Sequence, residues 1–223
     1  MTFFCERNLG NSKSHLISSR ENWIKQFQTH VFGPLGVTRS FLPQFRARKS
    51  GTLVFLGSTA AWGGIPTLGA YCASKSALRG RYRLTAESTE IKSEFYIGAV
   101  ETLHLELSPF GIRTLLVEPG FFRTELLNAN NTVYIDTDID DYKSLTNTLY
   151  TQFKGAHHKQ PGDPTKGAER IIELVKSQGD IAGKPFPVSL ALGPDAVGAI
   201  QKKCNEMVSL VGEWEPVSSN TAY

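Results

Sequence analysis

The sequence predicts an α/β domain built around a parallel sheet. Two short segments, 52–56 and 113–117, are rich in apolar and β-branched residues and are bounded by glycine or proline, as buried strands are. Helical periodicity precedes the first segment and separates it from the second, which is typical of parallel strands joined by helical crossovers. With 223 residues and 40% hydrophobic content, the chain has room for one domain with a sizeable core.

The first predicted helix starts near residue 19. Ser18 and Glu21 form a capping-box pattern ahead of apolar residues at helical spacing. Pro34 lies within this pattern and is expected to kink the helix. A basic C-terminal turn followed by Ser50-Gly51 is expected to end it, because cations stabilise the negative end of the helix dipole.

The later elements follow from the same rules of periodicity and capping. The segment 213–223 lacks periodicity and is not assigned to an element. Helices are predicted from Ala70 with a continuation at 99–107, over 136–153, from Asp163 as N-cap with Pro164 at the first helical position, and over 195–210, with a third strand at 185–192.

Residues 81–98 are predicted to be an insertion in this single domain. They are polar and mixed, and joining Gly80 to Ala99 would give one uninterrupted amphipathic helix. A helical insert would keep the face register and add about 27 Å of length, and a looped-out insert fits equally well. A translated intron is a further interpretation. Residues 1–17 show no period and are interpreted as an irregular N-terminus.

Composition argues against several classes of protein. The net charge of +3 is small and the basic residues are dispersed, so nucleic acid is not an expected partner. Three scattered cysteines indicate a reducing compartment, and no apolar run approaches the roughly 18 residues that a membrane span needs. The first residues do not resemble a signal peptide, so a cytoplasmic protein is predicted.

No metal site is predicted at His157-His158, because adjacent histidines do not share a helix face and no carboxylate lies at ligand spacing.

The candidate catalytic residues are Ser58, Tyr71 and Lys75. Ser58 follows the first strand, at the edge where open α/β sheets bind their ligands. Tyr71 and Lys75 are four positions apart and therefore lie on one face of the predicted helix. A phenol can exchange a proton with a substrate oxygen if its pKa is lowered, and a neighbouring ammonium group lowers it.

These residues, together with Pro119-Gly120 and Thr124 after the second strand, resemble the short-chain dehydrogenase/reductase family. The specific part of the match is a serine thirteen positions before the tyrosine of Tyr71-Cys72-Ala73-Ser74-Lys75, and the resemblance covers roughly residues 21–80 and 99–217. It implies the C-terminal part of a Rossmann-like doubly wound parallel sheet, with about three strands. Within this family, the C-terminal part of the sequence is most similar to fungal-type reductases akin to the hydroxysteroid and retinol dehydrogenase branch.

The resemblance also implies an activity, namely hydride transfer between NAD or NADP and a carbonyl or alcohol on a lipophilic small molecule. The resemblance leaves open whether the chain forms a homo-oligomer. The implied roles are proton exchange for Tyr71, lowering of its pKa and contact with the nicotinamide ribose for Lys75, a hydrogen bond to the substrate oxygen for Ser58, and contacts to the nicotinamide for Tyr71, Pro119, Gly120 and Thr124.

Two departures from the family pattern support an alternative. The sequence contains no G-x-x-x-G-x-G turn, and only 57 residues precede Ser58, so a sheet truncated at its N-terminus, with an uncovered edge along 52–58, is expected. His30 stands where the family often carries an asparagine that relays protons to the lysine, which implies a relay through imidazole, impaired chemistry or a structural substitution. The alternative function is a catalytically inactive remnant, an interaction protein or a gene-model fragment that does not bind the dinucleotide.

Overall fold

A computed structural model describes residues 20–79, 98–128, 131, 132, 134, 137 and 139–221. The predicted capping residue Ser18, the predicted irregular segment 1–17 and residues 81–97 of the predicted insertion lie outside this part of the chain. The described elements are helices α1 (Arg20–Phe27), α2 (Gly33–Arg48), α3 (Gly69–Arg79), α4 (Ala99–Leu107), α5 (Asp140–Ala156), α6 (Pro164–Lys176) and α7 (Pro194–Ser218), and strands β1 (Gly51–Leu56), β2 (Ile112–Pro119) and β3 (Ser189–Leu192).

The three strands form one parallel sheet in the order β1-β2-β3. Gly51 is opposite Ile112 at the start of the first pair, and Leu116 is opposite Ser189 at the start of the second. The α/β class and the parallel sheet predicted from the sequence are therefore confirmed. Within the described residues β1 pairs only with β2, and the side chains of Val54 and Leu56 on it are more than a third exposed.

Helices cover both faces of the sheet because alternate residues of a strand point to opposite sides. On one face Leu116 packs with Phe55, and Leu78 and Val100 from α3 and α4 complete that cluster. On the opposite face Leu115 and Val117 pack with residues of α6 and β3. The whole of β2 is consequently the most buried segment, with Leu115 and Val117 fully inaccessible. The N-terminal part of α7 adds a smaller cluster around Trp62 and Ile200.

The first predicted helix is present as three successive segments. A π-helical turn, Gln28–Phe32, separates α1 from α2 just before Pro34. The irregularity predicted at Pro34 is therefore present one turn earlier. It is a π-helical turn and not a kink within a regular α-helix. The helix ends at Lys49, which adopts the left-handed conformation with φ of 52°. Gly51 instead starts β1, where a Cβ would collide with the ring of Phe45.

Three predicted boundaries were wrong. The helix predicted over 136–153 spans Asp140–Ala156. The third strand spans only Ser189–Leu192, because Pro185 and Pro187 lack the N–H groups that a ladder needs. The last helix runs on to Ser218 and includes Pro216, although its C-terminal residues show no clear apolar period. Among the described helices, none combines the length and apolar content that crossing a membrane would demand.

Candidate functional site

A cavity of about 400 Å³ opens at the carboxyl ends of β1 and β2. This is the edge at which parallel sheets commonly bind ligands. Its wall includes five of the six site residues predicted from the sequence, Ser58, Tyr71, Pro119, Gly120 and Thr124. The sixth, Lys75, lies one helical turn beyond Tyr71 on α3 and does not line the cavity.

Ser58 is held at the point where β1 ends. Its backbone is extended, and its hydroxyl oxygen accepts a hydrogen bond of 3.1 Å from the amide of Ala60, which makes it the N-cap of a short 3₁₀ turn over Thr59–Ala61. Gly57, just before it, donates its amide to the carbonyl of Val117 at 2.7 Å. The serine is therefore fixed to both strands at the mouth of the cavity.

Tyr71 and Lys75 lie on the same side of α3. The ammonium nitrogen of Lys75 is 5.7 Å from the centre of the Tyr71 ring. It donates a hydrogen bond of 3.1 Å to the carbonyl of Leu56, the last residue of β1. The predicted shared face is thus present, and the lysine is anchored to the end of the strand that also carries Ser58.

His30 lies behind Tyr71 in the π-helical turn and is buried, with 7% of its surface exposed. Its ring meets the Tyr71 ring edge to face, with centroids 5.4 Å apart. Its Nδ1 is 2.9 Å from the hydroxyl oxygen of Ser74, which donates to the carbonyl of Tyr71 at 2.7 Å. The contacts described for His30 therefore support the backbone and the ring of the tyrosine.

The segment Pro119–Gly120 is held by a residue that sequence reasoning missed. A carboxylate oxygen of Asp195, in the first turn of α7, accepts a hydrogen bond of 2.6 Å from the amide of Phe121. A Cβ on Gly120 would collide with the same carboxylate. A larger residue at this position would therefore displace the Asp195 carboxylate. Asp195 carried no signal in the sequence beyond its place near a predicted helix start.

The chain resembles proteins of one family in sequence and in structure. A family model described as short chain dehydrogenase matches residues 8–93. The uncharacterized oxidoreductase YusZ of Bacillus subtilis is 30% identical over 164 residues, which are 71% of this chain and 50% of that relative. A short-chain dehydrogenase from Streptomyces avermitilis superposes with a TM-score of 0.67 at 31% identity, over 92% of this chain and 64% of its own. The chain belongs to the short-chain dehydrogenase/reductase family.

The match to this family is partial in length. Human retinol dehydrogenase 5 is 34% identical over 116 residues, which are 51% of this chain and 29% of that relative. The chain therefore spans about half, or less, of the length of these curated relatives. The Rossmann-like parallel sheet expected of a short-chain dehydrogenase/reductase is confirmed.

A loop-to-loop contact between residues 122–123 and 160–162 contributes to the wall of the cavity. Phe122 forms an isolated parallel bridge with Gly162, and a Cβ on Gly162 would approach the Phe122 ring to 2.8 Å. Arg123 donates from its guanidinium to the carbonyl of Gln160 at 3.2 and 3.1 Å. Phe122 and Gln160 from these loops line the cavity. Most of the other lining side chains are apolar, among them Ile65, Leu68, Phe121, Leu126, Leu127, Phe153 and Ile171.

Gln160 is a polar residue of this wall that sequence reasoning also missed. Only 3% of its surface is exposed, and it lines the cavity among apolar neighbours. Its side-chain oxygen is buried without a hydrogen-bond partner among the described residues. An amide in such a place can recognise a hydrogen-bond donor on a ligand. Its position in a polar loop gave no hint of this burial.

Glu118 is a fully buried carboxylate at the end of β2. It accepts hydrogen bonds of 2.8 Å from the indole N–H of Trp62 and from the hydroxyl of Ser189, and its oxygen is 3.6 Å from Nε of Arg79. The Arg79 guanidinium also stacks on the Trp62 ring. This buried network, Glu118 with Trp62, Arg79 and Ser189, joins β2 and β3 to α3 and to the loop after Ser58. The available sequence signal was a carboxylate at the end of a largely apolar strand, since buried charges need partners.

The stability of the protein is expected to fall with rising pH because of Glu118. Burial raises the pKa of this carboxyl above its usual 4.5, while the hydrogen bond from Ser189, the Arg79 charge and the bond from Trp62 lower it. The folded state therefore holds the proton more strongly than the unfolded state. The stabilisation that protonated Glu118 gives to the folded state is therefore lost as pH rises from about 4.5 through the pKa that the carboxyl has in the folded protein.

Urea unfolding of the wild type and of Glu118→Gln over that pH range measures the effect. The difference in free energy of unfolding, wild type minus variant, is expected to decline as pH rises. A difference independent of pH would contradict it.

Proposed function

We propose that the protein is an NAD(P)-dependent oxidoreductase that interconverts a carbonyl and an alcohol on a lipophilic small molecule. The observation that carries the proposal is the wall of the cavity, which presents Ser58 and Tyr71 together at the end of β1. Lys75 lies close to the tyrosine ring. A serine hydroxyl, a phenol and an ammonium group in this order are suited to bind a carbonyl oxygen and to deliver or accept its proton.

In this proposal Tyr71 exchanges the proton with the substrate oxygen. The positive charge of Lys75 favours the phenolate and so brings the phenol nearer to a working pKa. Ser58 hydrogen-bonds the substrate oxygen from the strand end, where its own position is fixed by the amide of Ala60. His30 holds Tyr71 from behind, through the ring contact and through Ser74.

The residues present fit the nicotinamide end of a dinucleotide, which when bound supplies or accepts the hydride. The Asp195 carboxylate lies against Gly120 and accepts from the amide of Phe121, so it fixes the segment Pro119–Gly120. Pro119, Gly120 and Thr124 line the same cavity as Tyr71 and would hold the nicotinamide, with Lys75 toward its ribose.

The substrate class follows from the remaining wall of the cavity. Most of its side chains are apolar, which favours lipophilic ligands. The buried oxygen of Gln160 favours a ligand with a hydroxyl or other donor away from the reacting carbonyl. We therefore expect substrates that combine an apolar body with two polar ends.

Nicotinamide binding tests the proposal directly. At NADH or NADPH concentrations of about 100 Kd, the bound cofactor should add about 2.7 kcal/mol of stability. For a chain of this size the melting temperature should rise by roughly 5–10 °C. The same samples, given a panel of lipophilic ketones and aldehydes, should oxidise the cofactor. The variant Lys75→Met is expected to show a smaller shift and slower turnover, while Lys154→Met, on α5, should match the wild type.

A second candidate is a non-catalytic protein that associates through the free edge of the sheet. Its support is β1, which pairs on one side only in the described structure and exposes Val54 and Leu56. Unpaired edges accept strands from other chains. The same experiment separates the two, because absence of both the thermal shift and the turnover would favour association.

A further inference from the structure

A glutamate and two histidines meet at one end of α5, outside the predicted catalytic group. Glu125 belongs to a 3₁₀ turn, Glu125–Leu127, just after Thr124, whereas His157 and His158 follow the last residue of α5. One oxygen of Glu125 is 2.8 Å from Nε2 of His158, and the other is 3.7 Å from Nε2 of His157. One ligand atom from each of the three residues lies within 4.8 Å of the others.

The backbone after α5 explains how adjacent histidines come to share a side. His157 leaves the helix with φ of −59° and ψ of 131°, and His158 adopts the left-handed conformation with φ of 60°. The two rings lie with centroids 3.9 Å apart. The argument that adjacent histidines do not share a helix face is correct for a helix, but both residues lie beyond it. The carboxylate comes from a segment more than thirty positions away, which sequence spacing does not reveal.

The local electrostatics suit a cation. The cluster lies at the C-terminus of α5, a helix of 17 residues, where the aligned peptide dipoles make the helix end negative. Glu125 supplies the carboxylate of the cluster, and its side chain is more than half exposed. The Asn128 amide also fixes one of its oxygens at 2.9 Å, as neighbouring residues often do around metal ligands.

We propose that Glu125, His157 and His158 bind a divalent transition metal ion of the Zn²⁺ type. Two imidazoles and one carboxylate are a ligand set that Zn²⁺ accepts, with water in the fourth position. Tetrahedral Zn²⁺ with ligand distances of about 2.0–2.2 Å places its ligand atoms about 3.4 Å apart. The separations of 2.8 and 3.7 Å bracket this value, so small side-chain rotations complete the site. Glu125 and His158 are more than half exposed, which gives the ion access.

The bound ion would join two parts of the cavity wall. Leu126 and Leu127 directly follow Glu125, and Phe153 lies one turn before His157; all three side chains line the cavity. In the absence of metal, Glu125 and His158 share an exposed hydrogen bond, which contributes little. The metal site stands independently of the proposed activity, because none of its three ligands lines the cavity.

Calorimetric titration of the full chain, stripped with a chelator and then dialysed, tests the site with Zn²⁺. We expect one Zn²⁺ per chain, a rise in melting temperature, and no comparable effect of Mg²⁺, which prefers oxygen ligands. X-ray absorption of the zinc-loaded protein should report nitrogen and oxygen ligands at about 2.0–2.2 Å. Failure to bind Zn²⁺ stoichiometrically would overturn the proposal and leave an ion pair only.

Two ligand variants and one control locate the ion. Glu125→Gln keeps size and removes the charge, and His158→Asn removes the imidazole while retaining a residue that tolerates the left-handed conformation. Each should weaken Zn²⁺ binding at least about tenfold. His104→Asn, on α4, should bind as the wild type does. Binding unchanged in both ligand variants would place the ion elsewhere and refute the site, and circular dichroism checks that each variant is folded.

Discussion

Replacement of Arg79 by methionine is expected to lower the free energy of unfolding by about 3–5 kcal/mol. The change leaves the carboxylate of Glu118 fully buried without its cationic neighbour, 3.6 Å away in the wild type. It also removes the guanidinium from the face of Trp62 and its hydrogen bond of 3.3 Å to the carbonyl of Ala61. Urea unfolding at neutral pH measures the loss.

Two comparisons isolate the buried charge as the cause. The double variant Arg79→Met with Glu118→Gln should recover part of the loss, because a neutral amide no longer needs the cation. Arg170→Met removes an exposed partner of Glu173, at 2.7 Å, and should cost only about 0–1 kcal/mol. Equal losses in Arg79→Met and Arg170→Met would show that burial of the Glu118 network contributes little.

Replacement of Tyr71 by phenylalanine is expected to lower cofactor-dependent turnover by a factor of about 10²–10⁴. The ring is kept, with its contact to His30, so packing changes little. Only the hydroxyl that would exchange the proton is lost. Steady-state oxidation of the nicotinamide with a lipophilic ketone, together with thermal unfolding, separates chemistry from stability.

A matched control for this change is Tyr142→Phe. Tyr142 lies on α5 with 43% of its surface exposed and does not line the cavity. Its turnover should equal that of the wild type. The proposed role of Tyr71 is refuted if the Tyr71→Phe variant retains more than a tenth of the wild-type rate while it still binds the cofactor.

The parts of the fold that depend on local pattern could be predicted from the sequence. The two apolar strands followed from continuous β-branched runs, and Asp163 is the N-cap of α6 as predicted, accepting from the amides of Thr165 and Lys166. Ser58 and Tyr71 were expected to meet because one ends a strand and the other begins the next helix. Both line the cavity.

The parts that depend on distant pairs could not be predicted in this way. Asp195 reaches Phe121 across 74 positions, and Glu118 reaches Ser189 across 71, so neither contact leaves a local pattern. The burial of Gln160 depends on Phe122 pairing with Gly162, which is a property of two loops. The meeting of Glu125 with His158 has the same origin. Sequence periodicity describes one element at a time, whereas these residues act between elements.

The parallel register of β1 and β2 also bears on how the chain accommodates residues 81–98. Thr52 and Arg113, which are opposite each other in the sheet, are 61 positions apart, so the two strands can pair only after a long loop closes. The entropy of loop closure grows only with the logarithm of length. If residues 81–98 are an insertion, as the sequence predicts, they lengthen the connection from about 43 to about 61 residues, which costs only about 0.3 kcal/mol. A sheet made entirely of such distant pairings is slow to form but tolerant of added chain between its strands.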